Sequence, residues 1–361
     1  TTYTVSVATG SGSGTLRLDI LGSAVISDTV GNALTGLPYT GGESYTIDKI
    51  APTVASILRA DPDPTNDDEV DYTVTFSEAV TGVGMSDFTL SLTGLIDAVV
   101  IGIDGGPTTY IITVDTGKRS GTLRLDIPTT ATIIDTVGNS LSDLPYTSGE
   151  SYTLDRDEPT IVSISRVDPS PTNASSVNYL VTFSEVVSGV ETDDFSLTLS
   201  GLSGATISGV SGGPTIYTVA VSTGSGDGTL RLDVPDTALI IDTAGNSVED
   251  LPYIGGDSYL LDNTAPAVVS ILRADPSPTN ASSVHYTVTF SEGVSDVSIE
   301  DFSLITSGTI SGAEVVSVSG TGSTYTVTVT IGAGSGTLRL DIPVTAIIND
   351  LVGNLLTDLP Y

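Results

Sequence analysis

Along residues 51–157 apolar side chains fall at every second position within short runs. Tyr72, Val74 and Phe76 alternate with Thr73 and Thr75, and Leu123, Leu125 and Ile127 alternate with Arg124 and Asp126. A period of two sends successive side chains to opposite faces, the signature of half-buried strands. Clusters of Gly, Ser, Asn, Asp and Pro separate the runs, and no segment carries a 3.6-residue period with caps. The pattern predicts strand A near 53–60, B near 70–77, C near 88–93 and D near 97–103, then E near 108–115, F near 121–127 and G near 150–155. About seven short strands in roughly 100 residues predict an all-β chain of immunoglobulin-like β-sandwich domains.

The pattern repeats. The stretch YTIDKIAPT (Tyr45 to Thr53) returns as YTLDRDEPT (Tyr152 to Thr160) and as YLLDNTAPA (Tyr259 to Ala267), with Pro52, Pro159 and Pro266 spaced 107 residues apart. A long fixed period denotes an array of similar units. The spacing assigns residues 51–157 and 158–264 to two Ig-like domains. Residues 1–50 then hold the C-terminal part (strands E–G) of another, and 265–361 form a domain lacking its last strand, because Tyr361 aligns with Tyr39, Tyr146 and Tyr253. Neither end piece is expected to bury a full core. The chain has no initiating Met and starts in mid-unit, so it reads as a window of a longer protein. Linkers of about five residues ending in Pro leave little slack, which predicts an extended rod of about 35–45 Å per unit.

Composition narrows the function. The 361 residues carry 44 acidic and 11 basic side chains, a formal charge of -33. The acids number 17, 14 and 9 in residues 51–157, 158–264 and 265–361, so the charge lies along the whole array and not in a tail. Such a surface repels phosphate backbones and anionic membranes. There is no Cys to form a disulfide framework, and no run approaches the ~18 apolar residues of a membrane span.

The motifs VTFSEAVTGV (Val74 to Val83), SGTLRLD (Ser120 to Asp126) and DTVGNSL (Asp135 to Leu141), with the junction YTLDRDEPT, resemble the bacterial Ig-like repeats of large surface proteins. Such repeats occur in adhesins and S-layer-type proteins. The resemblance covers essentially the whole chain and implies a cell-surface, extracellular array acting as stalk, spacer or assembly module, with no enzymatic activity.

Strand direction converts these motifs into a candidate site. In an antiparallel sandwich the B–C, D–E and F–G loops gather at the end where the chain enters a unit, beside the incoming linker, and the A–B loop lies at the far end. Glu78 closes strand B, Asp87 opens strand C, Asp135 and Asn139 sit in the F–G loop, and Asp48 ends the preceding G strand. These five are expected to meet at one junction. The next junction repeats them as Asp155, Glu185, Asp194, Asp242 and Asn246, and the third as Asp262, Glu292, Asp301, Asp350 and Asn354. Oxygen donors without His or Cys point to Ca²⁺, which takes six to eight oxygens. The competing reading is structural: DxxGN also makes a good turn, and the Glu can cap loop amides.

The remaining candidates read as scaffold. The A–B loop DPDPTNDDE (Asp61 to Glu69) has copies starting at Asp168 and Asp275; a second cation site there competes with a rigid turn, and the turn fits better. Seven arginines recur, at 59, 166 and 273 on strand A and at 17, 124, 231 and 339 on strand F, and surface pairing across strands suits them. His285, the only histidine, stands where other units have Asp71 and Asn178, and is expected to be exposed. The glycines of GSGSG (Gly10 to Gly14) and GSGDG (Gly224 to Gly228) suit E–F hairpin turns. Asn173 and Asn280 head NAS glycosylation sequons.

Nothing assembles a nucleophile with its base, and the acids recur at every junction, as joints do. Two expectations follow. The first is a non-enzymatic extracellular repeat region, the calcium-stiffened stalk or spacer of a giant bacterial surface adhesin. The alternative is a building block of a self-assembling filament, sheath or surface layer. The partners expected are neighbouring repeats of the same protein and lateral copies, with no nucleic acid and no membrane insertion.

Overall fold

A computed structural model of the chain describes residues 1–361. The first strands, β1 (Gly14–Arg17) and β2 (Ser44–Ile47), form an isolated antiparallel ladder in which Leu16 faces Tyr45. The next set is β3 (Val54–Arg59), β4 (Glu69–Phe76), β5 (Val80–Thr81), β6 (Thr89–Thr93), β7 (Val99–Gly105), β8 (Thr109–Asp115), β9 (Gly121–Asp126), β10 (Ile134–Asp135) and β11 (Ser151–Leu154). One sheet runs β3-β4-β8-β7 and the facing one β11-β9-β6. In lettered terms these are sheets A-B-E-D and G-F-C, the strand order of a constant-type immunoglobulin sandwich.

The second set repeats the order. It comprises β12 (Ile161–Arg166), β13 (Ser176–Phe183), β14 (Val187–Ser188), β15 (Ser196–Ser200), β16 (Thr206–Gly212), β17 (Ile216–Ser222), β18 (Gly228–Asp233), β19 (Ile241–Asp242) and β20 (Ser258–Leu261). The third comprises β21 (Val268–Arg273), β22 (Ser283–Phe290), β23 (Val294–Ser295), β24 (Ser303–Thr306), β25 (Glu314–Thr321), β26 (Thr324–Thr330), β27 (Leu338–Asp341) and β28 (Asn349–Asp350). Its first sheet is complete, β21-β22-β26-β25, but its second holds only β24 and β27. The chain divides into two compact units, residues 1–157 with 243–246 and residues 158–242 with 247–361.

The cores follow the alternation. On β4, Val70, Tyr72, Val74 and Phe76 are buried and the residues between them are not. They pack against Ile112 and Val114 of β8 and, across the sandwich, against Leu123 and Leu125 of β9 and Tyr152 and Leu154 of β11. Tyr72 and Tyr152 are fully buried and meet edge to face with ring centroids 5.1 Å apart. Both hydroxyls are used: Tyr72 Oη donates to the Leu123 carbonyl, and Tyr152 Oη donates to the Asp71 carbonyl while accepting from the amides of Ala60 and Asp61. Tyr179 and Tyr259 repeat the pair at 5.1 Å.

Two features depart from the sequence expectation. Tyr3, Val5 and Val7 were expected on an E strand, yet Thr1–Thr9 form no strand and these side chains are exposed. A strand of that kind pairs with a B strand, as β8 does with β4, and residues 1–50 contain none. The short ladder β5–β10, with Val80 opposite Asp135, is also additional. It ties the loop after β4 to the loop after β9 and so fixes the two acids found there.

Candidate metal centre

Asp135 is held by its own turn. Its Oδ1 accepts from the amides of Val137, Gly138 and Asn139 at 2.6–2.8 Å, and its Oδ2 accepts from the Asn139 side-chain amide at 2.7 Å. Gly138 has φ +100°, which the DxxGN sequence meets with glycine at no steric cost. Burial raises the cost of charging Asp135, but the hydrogen bonds from Asn139, Val137 and Gly138 outweigh it and hold the carboxyl below its usual range. The same turn closes at Asp28, where Oδ1 accepts from Val30 and Asn32 and Oδ2 from the Asn32 side chain. Asp28 belongs to no acidic cluster. The motif is therefore a self-sufficient turn first, and its use in a cluster is a second property.

At the first junction Asp48, Glu78 and Asp135 each bring one carboxylate oxygen within 4.8 Å of the others. Asp48 arrives from the residue after β2, Glu78 from the loop after β4, and Asp135 from β10. Asp48 Oδ1 accepts from the Ile50 amide and the Ser13 hydroxyl. The Asn139 side chain bonds to the Asp48 carbonyl at 3.3 Å and so joins the turn to the linker. Glu78 accepts no hydrogen bond and stays free to coordinate. Asp262, Glu292 and Asp350 form the matching cluster within 4.8 Å of one another. There burial pushes the Glu292 carboxyl above its usual range, and the nearby carboxylates of Asp262, Asp350 and Asp227 push it further. At the middle junction Asp155 belongs to one compact unit and Glu185 and Asp242 to the other.

Two oxygens on opposite sides of a calcium ion, each ~2.3–2.6 Å from it, stand at most about 5 Å apart. Three carboxylate oxygens within 4.8 Å of one another therefore fit around one such ion. Without a cation each pair repels by about 1 kcal/mol at the dielectric of water and about 3–4 kcal/mol at an effective value near 20. The donors are all oxygen, as a hard cation requires.

Other expected ligands have different duties. Asp87, Asp194 and Asp301 lie outside the clusters. Asp87 is buried in the 3-10 turn Met85–Asp87, where Oδ2 accepts from the Gly84 amide and Oδ1 from the amide and hydroxyl of Thr132. Asp194 and Asp301 repeat this staple through the amides of Glu191 and Leu239 and of Ser298 and Ile347. Asn246 and Asn354 hold the linker as Asn139 does, through the carbonyls of Asp155 and Asp262. Their Oδ1 atoms accept from the side chains of Asn66 and Asn173 at 2.9 and 3.1 Å. Thus the A–B loop asparagine of one repeat reaches the F–G loop asparagine of the next, a contact the sequence reading missed. The TN of DPDPTN and DPSPTN was its signal.

The A–B loop is a stapled turn: Asp61 accepts from the Asp71 amide and Asp63 from the Thr153 amide. Arg124 pairs with Asp126 along its own strand, Nε to Oδ1 at 2.7 Å, where cross-strand pairing was expected. Arg59 stacks over the Tyr152 ring and bonds Asp63 and the Ser151 carbonyl. His285 is partly exposed and bonds Asp275.

No family model matches the chain, and no curated protein matches it. Among solved structures, the Escherichia coli adhesin FdeC is similar over 84% of this chain and 94% of its own, at 16% identity and a TM-score of 0.41. Yersinia pseudotuberculosis InvD is similar over 85% of each chain at 14% identity and a TM-score of 0.33. Domains 4–9 of the surface layer protein SbsC are similar over 84% of this chain and 48% of theirs, at 14% identity and a TM-score of 0.26. Strand order and pairing, rather than these likenesses, define the fold. The chain is an all-β protein of immunoglobulin-like sandwiches.

Proposed function

We propose that these repeats form a non-enzymatic extracellular stalk, a region of a bacterial surface adhesin in which Ca²⁺ at each junction stiffens the array. The observation that carries this reading is the recurrence of one carboxylate trio, Asp48/Glu78/Asp135 and Asp262/Glu292/Asp350, each joining the end of one repeat's last strand to two loops of the next. An ion bound there ties the linker to the following bead and removes the repulsion among its ligands. The resemblance of the repeat motifs to bacterial surface arrays supports an extracellular setting, where modules of this kind bind Ca²⁺ at about 0.1–1 mM. The test is the thermal midpoint and the solution-scattering dimensions with calcium and with a chelator. A higher midpoint and a more extended particle in calcium support the reading; no response in either contradicts it.

A further inference from the structure

We propose that the outer edge of the C strand, β6 in one complete sandwich and β15 in the next, is a pairing edge for the same strands of a second copy. Each complete sandwich has four edge strands: β3, β7, β11 and β6 in the first, and β12, β16, β20 and β15 in the second. Three of each four are closed to another strand. β3 and β12 shift register at Val54/Ser56 and Ile161/Ser163, and β7 and β16 at Val100/Gly102 and Ile207/Gly209. Such bulges twist an edge away from a flat partner. β11 is covered from outside: the Thr153 carbonyl takes the Thr65 amide, and the amides of Glu150 and Asp155 give to the carbonyls of Ile57 and Thr65. β20 is covered in the same way, by Thr172 against Leu260 and Asp262 and by Ile164 against Asp257.

The C strand has none of these guards. β6 pairs with β9, and β15 with β18, over five consecutive residues without a break in register. Neither holds a proline or a charged residue: they read TLSLT (Thr89 to Thr93) and SLTLS (Ser196 to Ser200). In an antiparallel ladder the backbone groups of alternate residues turn away from the partner strand. Those of β6 and β15 that turn away from β9 and β18 meet nothing in the chain. The core-facing side chains are also incompletely covered. Leu90 and Leu92 stand opposite Leu125 and Leu123, which are fully buried, yet Leu92 is 37% exposed. Leu197 and Leu199 are likewise only partly buried against their core.

Both sequences are palindromes, which singles out a second copy as the occupant. Run antiparallel to itself, TLSLT sets Ser91 opposite Ser91, Leu90 opposite Leu92 and Thr89 opposite Thr93. SLTLS sets Thr198 opposite Thr198, Leu197 opposite Leu199 and Ser196 opposite Ser200. β6 against β15 matches as well, with Ser91 opposite Thr198. Every pair is leucine on the core face and hydroxyl on the outer face, and such cross-strand pairs stabilise an antiparallel ladder. Because the same surface serves both partners, the contact is isologous. Charge points to the same edge. The chain carries 44 acids and 11 bases, so most of its surface repels a second copy, but these two strands carry no charge. The arginines beside them, Arg124 and Arg231, are already paired with Asp126 and Asp233. A five-residue strand extends about 17 Å and sheets stack about 10 Å apart, so one contact buries on the order of a few hundred Å². That lies below the roughly 1,200 Å² of a stable interface. A single pair is therefore weak, and firm association takes several along the array. β24 reads SLIT (Ser303 to Thr306) and lacks the symmetry. The inference goes beyond the stalk reading and does not depend on calcium.

The experiment uses the 361-residue chain in chelator, at ~0.5 M sodium chloride to screen the repulsion between copies. Sedimentation velocity over a range of concentrations compares the parent with Ser91→Lys/Thr198→Lys, which places lysine on the open edge. The control, Thr75→Lys/Thr182→Lys, makes the same charge change on the outer face of the central strands β4 and β13. Ser91 and Thr198 are exposed, so their substitution leaves the fold intact. Because the chain has no cysteine, Ser91→Cys/Thr198→Cys is also oxidised beside Thr89→Cys. In all three matches a central residue faces a central residue at a spacing that a disulfide spans, whereas Thr89 faces Thr93 or Ser200. The expected result is association that weakens about tenfold or more with the edge lysines and not with the control. Linked dimers are expected from the central cysteines and none from Thr89→Cys. Association that is unchanged by the edge lysines, or lowered equally by both lysine pairs, overturns the proposal. So do central cysteines that link no faster than Thr89→Cys, or a parent that stays monomeric up to ~1 mM. Each of these failures leaves the calcium reading untouched, since the measurements are made in chelator.

Discussion

Asp135 and Glu78 meet at the same cluster with opposite commitments. Asp135 spends both oxygens on the turn that holds it, whereas Glu78 has no protein partner. Removing charge at the glutamate therefore separates the ion from the turn. For Glu292→Gln, calorimetry in chelator is expected to show a midpoint at or above that of the parent, because like-charge repulsion is relieved; in calcium the variant is expected to fall below the parent. The pH dependence has a definite sign. The Glu292 carboxyl is raised in the folded chain, by burial first and then by Asp262, Asp350 and Asp227. Its contribution is fully present below the unfolded value and is lost as pH rises through the folded one. In chelator the advantage of Glu292→Gln is thus expected to appear between mildly acidic and neutral pH and to vanish at lower pH. Asp135 runs the other way: its depressed carboxyl stabilises above the unfolded value and loses that contribution on acidification. At this scale Asp48, Glu78 and Asp135 were legible because strand direction alone carries them to one end of a sandwich. Asp87, expected beside them, lies outside the cluster and staples a 3-10 turn, a use that a carboxylate in sequence does not announce. Its tell was position, three residues after Gly84, Glu191 or Ser298 and immediately before a buried Phe.

At the level of elements the last strand of the first complete sandwich ties its core to the β3–β4 loop. Tyr152 on β11 closes the core by its ring and ties the β3–β4 loop by its hydroxyl. Tyr152→Phe keeps the ring and leaves the part-buried Asp61 amide without its acceptor, so urea unfolding is expected to show a loss of about 1 kcal/mol for that sandwich. Tyr45→Phe, on the exposed counterpart, is expected to leave stability unchanged in dilute solution. Strand positions came through from sequence to within two residues, for instance β8 at Thr109–Asp115 against 108–115, since alternation and turn residues are local signals. The first nine residues failed for the converse reason. Their alternation is real, but a strand exists only when a neighbour supplies its hydrogen bonds, and residues 1–50 supply none. The β5–β10 ladder was invisible because two-residue strands have no period to detect.

Across the whole chain, repetition and charge act together. Each repeat brings an acidic junction and an acidic surface, and the sum is a formal charge of -33. Monovalent salt screens such a surface within ~8–10 Å at ~0.1–0.15 M, whereas a divalent ion at a carboxylate trio acts at contact. The two ions are therefore expected to differ: sodium chloride at matched ionic strength raises stability modestly and without saturation, and calcium raises it with a saturable midpoint. At ~10 mM calcium, a site binding at ~0.1–1 mM contributes about 1.4–2.7 kcal/mol to the bead that holds it. The most direct measurement is calorimetry of the 361-residue chain in 10 mM calcium and in chelator at matched ionic strength, on the parent and on the double variant Glu78→Gln/Glu292→Gln. The expected result, from about 10 mM calcium acting on sites of that affinity, is a midpoint several degrees higher for the parent and a much smaller shift for the variant. Equal midpoints for the parent in the two solutions, or an undiminished shift in the variant, would contradict the account.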